Sequence, residues 1–261
     1  MIRTRLTAAT LPVLAMIAVT AYAGGQPVNY GPVELGQIET ACFLVCFGTN
    51  CSSSGTISSL NVSPPFFVRG IRVGDQADEA NLCNNTPGLT TPATLPRAID
   101  DGEFLVFDVD LVPTTLGTFD RPLSINNNPP SFDLMTSVNS VSGCAPGPTA
   151  NCLSDDRFKV RTKWRTTFGT RGAAPVVQTA GTDDSGLFYF FNQDNWEVLL
   201  KVLNACNTPA PRFWVFAAAT TNVEYTITVV DTEEQVAKSY FKPQGPPAPA
   251  ITDTNAFATC P

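Results

Sequence analysis

The 261-residue chain contains no histidine, and that one absence removes several chemistries together. Ser-His-Asp and Cys-His nucleophiles, HExxH zinc sites and imidazole acid–base catalysis all need it. Cations are scarce as well, 16 Lys and Arg against 23 Asp and Glu, which argues against nucleic acid or an anionic membrane as a general partner. After the first twenty or so residues there is no long apolar run, so no second membrane span is indicated. Helical periodicity is almost absent. Short alternating runs bounded by turn residues recur instead, the pattern of strands.

What remains open to an enzyme without histidine is a carboxylate pair of the glycosidase kind. The candidates are Asp100 with Asp101, Asp155 with Asp156, Asp183 with Asp184, and Glu233 with Glu234. Adjacent acids on a strand diverge to opposite faces, and each pair sits beside a turn signal, where Asp serves local backbone hydrogen bonds. Asp183, Asp184 and Ser185 could instead offer oxygens to calcium, but no EF-hand or repeat-type loop surrounds them. No catalytic residue, metal or cofactor is assigned.

The first residues form a unit. Arg3 and Arg5 precede an apolar stretch from Leu6 to Thr20, followed by Ala21-Tyr22-Ala23 and Gly24-Gly25. This is the layout of a secretory signal peptide cleaved after residue 23, and no cysteine follows the site to suggest a lipoprotein. The remaining 238 residues carry 14 cations (16 less Arg3 and Arg5) against 23 acids, a net charge of −9. They also carry all eight cysteines, Cys42, Cys46, Cys51, Cys83, Cys144, Cys152, Cys206 and Cys260. An even number beyond an export signal implies disulfides in an oxidising compartment, and the spacing fits no zinc ribbon. The cysteines cluster four and four, so bonds are expected within halves. The shortest closures join Cys144 to Cys152 and Cys206 to the tail at Cys260.

Strand signals then follow at regular intervals. Phe66 to Val73, Glu103 to Val112 and Phe119 to Ile125 read as strands, with Val33 to Phe47 left as either strand or short helix. In the second of these Leu105, Phe107, Val109 and Leu111 share one face, and Glu103, Asp108 and Asp110 the other. Val138 to Asn151, dense in Ser, Gly and Pro, is the natural boundary. Beyond it Arg157 to Thr166, a short edge strand at Pro175 to Thr179, Leu187 to Phe191, Trp196 to Leu203, Arg212 to Ala219, Val223 to Val230 and Gln235 to Lys242 continue the series. The Pro-rich segment Pro243 to Pro249 should end regular structure. The expected fold is all-β: a signal peptide (1–23), an immunoglobulin-like β-sandwich with a Cys-rich start (24–145) and a second β-sandwich with a Cys-stapled tail (146–261).

Val109-Asp110-Leu111-Val112-Pro113-Thr114-Thr115-Leu116-Gly117-Thr118, with Leu123-Ser124-Ile125-Asn126-Asn127-Asn128, resembles the core of ASPM/SPD-2/Hydin-type immunoglobulin-like domains. Residues 152–261 resemble a β-sandwich domain recurrent in secreted multidomain proteins of environmental bacteria. That likeness rests on Arg157-Phe158-Lys159-Val160, Trp164-Arg165, Asp184-Ser185-Gly186, Val202-Leu203-Asn204-Ala205-Cys206, Arg212-Phe213-Trp214-Val215-Phe216, Val223 to Val229 and the tail Asp253 to Pro261. Both likenesses imply modules and no reaction. Asn61-Val62-Ser63 and Asn84-Asn85-Thr86 are formal glycosylation sequons, which carry little weight in the bacterial chain that the second likeness implies.

Two stretches carry the functional expectations. In Arg157-Phe158-Lys159-Val160-Arg161-Thr162-Lys163-Trp164-Arg165 cations occupy every second position. A strand therefore sends Arg157, Lys159, Arg161, Lys163 and Arg165 to one face and Phe158, Val160, Thr162 and Trp164 to the other. Residues 24–150 hold 4 cations and 12 acids, whereas 151–261 hold 10 and 11, so the basic face is expected to dock on the acidic first half, on a second copy or to lie in solvent. Phe188, Tyr189, Phe190 and Phe191 cannot all face one core and form the candidate aromatic contact surface. Trp164, Trp196 and Trp214 read as core, Trp196 in phase with Val198, Leu200 and Val202. The function expected is a secreted, non-enzymatic interaction, adhesion or scaffold module whose partner is a protein or a glycan, with self-association possible. Carbohydrate binding through exposed aromatics is the alternative.

Overall fold

The computed structural model describes residues 14–16, 26–48, 51–83, 88–127 and 132–261. The rest of the expected signal peptide, the sequon at Asn84 and the segment Asn128-Pro129-Pro130 lie outside them. The described chain is all-β, twenty strands with one 3-10 turn at Gln76–Asn81.

Residues up to 139 build two sheets. The first runs in the order β1 (Leu14–Met16), β3 (Glu39–Val45), β9 (Glu103–Leu111), β6 (Phe66–Asp75) and β7 (Thr90–Pro92). The second runs β2 (Gln26–Glu34), β11 (Phe132–Asn139), β10 (Gly117–Ile125) and β5 (Leu60–Asn61), and β4 (Gly55–Ile57) with β8 (Arg97–Ile99) forms a separate ribbon. Phe43, Phe107 and Phe132 meet between the sheets with ring centroids 5.1 and 5.3 Å apart. Leu105, Val109, Leu111, Leu123 and Leu134 fill the space around them.

Residues from 151 build a second pair. One sheet holds β12 (Asn151–Leu153), β13 (Phe158–Arg165), β18 (Glu224–Asp231) and β19 (Val236–Lys242), with β14 (Arg171–Ala173) beside β13. The other is β15 (Ser185–Tyr189), β16 (Trp196–Asn204), β17 (Phe213–Ala219) and β20 (Ile251–Phe257). Phe158, Val160 and Trp164 of β13 pack into this core with Phe188, Val198, Leu200, Val215, Ile227 and Phe257. The arrangement is sandwich-like in both pairs. Each buried aromatic or aliphatic side chain contributes roughly 1.5–3 kcal/mol relative to exposure.

Four disulfides fasten it: Cys42–Cys83, Cys46–Cys51, Cys144–Cys152 and Cys206–Cys260, with no cysteine left free. Each pair lies within its own cluster of four, as the grouping suggested, and Cys144–Cys152 spans the boundary expected at residue 145. Three local expectations need correction. The stretch Val33 to Phe47 is two strands, β2 and β3, folded at Leu35 and Gly36. Pro175 to Thr179 is no strand and holds only an isolated bridge, Val176 to Phe188. The Pro-rich segment does not end regular structure, because β20 follows it and pairs with β17. Burial of Ala256 and Phe257, reinforced by Cys206–Cys260, brings the tail back onto the sheet.

Candidate functional site

Four of the five alternating cations meet Glu34, Thr40 and the Asp108 and Asp110 carboxylates of β9 at the seam between the two pairs of sheets. On β13 the alternation works as a strand requires, but the basic face is covered. Lys159 and Arg161 reach the Glu34 carboxylate at 3.4 and 2.9 Å. Lys163 donates to the Ile38 carbonyl at 3.3 Å and to Thr40 Oγ1 at 2.5 Å, and Thr40 in turn donates to Asp110. Arg165 ends in a buried cluster, pairing with Asp108 at 3.0 Å, with Asp110 at 2.6 Å and with Glu224 directly opposite on β18. Arg72 and Arg171 complete the shell around Asp108 at 3.3 and 3.2 Å. Arg157 stays within its own half, holding Asp231 at 2.7 Å and the Thr259 carbonyl at 2.6 Å, and so ties down the tail.

The grouping of Glu103 with Asp108 and Asp110 needs correction: alternation along β9 sets Asp108 and Asp110 opposite Leu105, Phe107, Val109 and Leu111, whereas Glu103 falls in phase with the apolar residues and pairs with Arg97 at 3.0 Å. Asp108 and Asp110 are fully or almost fully buried, because β13 lies across them. Burial pushes the Asp110 carboxyl upward, yet Arg165 and Lys163 outweigh that and hold it below the ordinary carboxylate range. Burial pulls the Lys163 ammonium down despite Asp110. Desolvation of the Arg165 guanidinium is outweighed by Asp110, Asp108 and Glu224, which keep it firmly charged. Desolvation raises Glu224 in spite of Arg165. These shifts describe opposite charges locked together away from water.

Backbone fit and apolar contact complete the seam. Thr228 Oγ1 donates to the Gly36 carbonyl at 2.7 Å, and Gln235 exchanges two hydrogen bonds with the Val141 backbone at 2.8 and 2.9 Å. Val230 and Ala237 of the second half belong to the core of the first. Gly36 sits at φ +75°, where a side chain would run into Val230, and Gly70 at φ +51°, where a Cβ would lie 2.8 Å from Arg165 Cδ. Neither conformation nor space admits a side chain there.

The aromatic run divides. Phe188 and Phe190 enter the core, Tyr189 is half-buried, and Phe191 is 57 % exposed with its ring edge-on to Trp164 at 4.8 Å. Of the four candidate contact residues, Tyr189 and Phe191 are the ones open to a partner. Trp196 needs correction: it is 48 % exposed rather than core. Phe188 faces Val198 and Tyr189 faces Trp196, so Glu197 is an extra residue, a β-bulge that reverses the phase. Trp214 is half-buried on the outer side of β17, 6.2 Å from Phe216.

The bulge turns the Glu197 side chain inward. Its carboxylate accepts from the Phe190 N–H at 2.5 Å and from Asn195 Nδ2 at 2.8 Å. No cation pairs with it among the described residues, and burial pushes its carboxyl above the ordinary value. It lines a cleft of about 590 Å³ with Phe191 and Asn195, the β17–β18 turn and the segment after β19. Sequence reasoning missed this cleft, since nothing in Trp196-Glu197-Val198 marks a bulge. A second cavity of about 390 Å³ opens at the seam beside Arg161, Lys163 and Glu39.

Among the described residues no helix is long and apolar enough to cross a membrane, and no group of three or more acids and cysteines is gathered as for a metal ion. No protein-family model matches the chain, and no curated protein is significantly similar to it.

Proposed function

We propose that the chain is an exported, non-enzymatic interaction module: two immunoglobulin-like sandwich domains, 24–145 and 146–261, that follow a leader whose cleavage after residue 23 removes β1 from the edge of the first sheet. It acts outside the cytoplasm, in the periplasm, at the cell surface or beyond. Four disulfides support an oxidising compartment. The likeness of the first half to ASPM/SPD-2/Hydin-type domains, and of the second to a domain of secreted bacterial proteins, supports an adhesive or scaffolding role.

The observation that carries the reading is where the charged groups are used. The cations of β13 and the acids of β9 neutralise one another at the seam, while Glu197 is the one acid among the described residues that line the larger cleft. Glycoside hydrolysis needs two carboxyls roughly 5–10 Å apart across a cleft, so this cleft suits binding better than turnover. The exposed Phe191 ring favours carbohydrate as the second reading.

The test compares binding with turnover on the purified, disulfide-bonded protein. Retention on arrays of glycans and extracellular-matrix proteins is expected, with no release of reducing sugar or peptide. Turnover that disappears in Glu197→Gln would overturn the non-enzymatic reading.

A further inference from the structure

The cleft beside the bulge has a chemistry of its own. Three connections close it at one end of the second pair of sheets: the turn between β15 and β16, the turn between β17 and β18, and the chain after β19. Loops on a rigid scaffold are where binding groups concentrate. Its volume, about 590 Å³, falls in the roughly 300–1,000 Å³ range of small-molecule sites.

The lining combines one exposed aromatic ring, Phe191, with the amides of Asn195 and Asn222, the hydroxyls of Thr220 and Thr221, and the Glu197 carboxyl. No lysine or arginine is among the described lining residues, so an anion finds no counter-charge. A single carboxyl supplies little of the negative charge that a divalent-cation site gathers, and no group of three or more acids lies together among the described residues. A purely apolar ligand would strand the polar groups. Each Glu197 oxygen accepts one N–H, and a carboxylate can accept about four hydrogen bonds, so two acceptor positions remain for hydroxyl donors.

We infer that this cleft binds a neutral hexopyranose, whose C–H face lies on the Phe191 ring while its hydroxyls donate to Glu197 and meet the amides and hydroxyls of Asn195, Asn222, Thr220 and Thr221. A pyranose is the ligand class that presents both an apolar face and several hydroxyl donors without charge. The Glu197 side chain is held in place before the ligand arrives, by the Phe190 N–H and Asn195, so little ordering is required on binding. This assignment rests on the reading of the chain as a binding module and supplies its ligand class.

The test is calorimetric titration of the intact protein with four probes, cello-, manno-, galacto- and malto-oligosaccharides, with reducing ends assayed in parallel. At least one probe is expected to bind with a Kd below about 1 mM, in the affinity range of roughly −4 kcal/mol and tighter. Phe191→Ala should weaken it tenfold or more while lowering the melting temperature by only a few degrees, because the ring is more than half exposed and its main packing contact is the edge of Trp164, and Phe191→Trp should restore binding. Absence of binding to all four probes would overturn the sugar assignment while leaving the module reading standing. Binding that survives Phe191→Ala but is lost in Trp214→Ala would overturn it too, moving the sugar to the outer face of β17. Release of reducing ends that disappears in Glu197→Gln would keep a sugar in the cleft and overturn the module reading instead.

Discussion

Replacing Arg165 by methionine keeps the length of the side chain and removes the one guanidinium shared by Asp108, Asp110 and Glu224. Taking one partner from a fully buried ion pair costs about 3–5 kcal/mol, because the remaining charge has neither water nor a counter-ion. Here the loss is graded. Asp108 keeps Arg72 and Arg171, and Asp110 keeps the Thr40 hydroxyl with Lys163 behind it, whereas Glu224 loses its charged partner at the seam. We therefore expect the low end, about 3 kcal/mol. For a chain of this size each kcal/mol moves the melting temperature by about 2–4 °C, so the expected fall is about 6–12 °C. The assay is calorimetric melting of the wild type, Arg165→Met, Asp110→Asn and the double variant. If Arg165 and Asp110 act on each other, the double variant should be less destabilised than the sum of the singles by about 2 kcal/mol. A fall below 2 °C in Arg165→Met, or additive effects without coupling, would refute the account of the seam.

The two kinds of disulfide should separate by loop length. Cys206–Cys260 encloses a separation of 54 residues and Cys46–Cys51 one of 5, so their removal as paired Cys→Ser variants should cost about 4 and about 2 kcal/mol in urea unfolding. Acid titration should show the influence of Glu197. Its folded-state pKa is raised, so the folded protein holds its proton longer than the unfolded chain. Stability therefore falls as pH rises from the unfolded value of about 4.3 through the raised folded one. Glu197→Gln should remove that decline from the unfolding free energy measured against pH, and an identical pH profile would count against a buried, cation-free carboxyl.

Much of this molecule can be read by counting in twos. Phe158, Val160, Thr162 and Trp164 alternate with five cations, and all four apolar-side residues are buried in the core of the second half or against it. The same counting placed Leu105, Phe107, Val109 and Leu111 on the core side of β9. It failed at Trp196, where one inserted residue reverses the phase. It failed again after Pro249, where the composition speaks for irregular chain and the pairing with β17 is made by residues 34 to 44 positions away in sequence. Strand propensity in short segments is weak beside the burial gained on adding a strand to an existing sheet.

By itself the sequence determined the class of structure and the side-chain chemistry available to it: strands from period-two alternation, turns from Gly, Pro, Asn and Asp, cysteines clustered as they pair, and an inventory without imidazole. These follow because backbone geometry and side-chain ionisation are local properties. Which cation faces which acid, that Asp108 and Asp110 are buried under β13, and that Glu197 is turned into a cleft beside Phe191 were decided only by the tertiary structure. Charge pairing at the seam acts between strands at least 36 residues apart, and a bulge arises from the register of two strands together, so neither is written in any one segment.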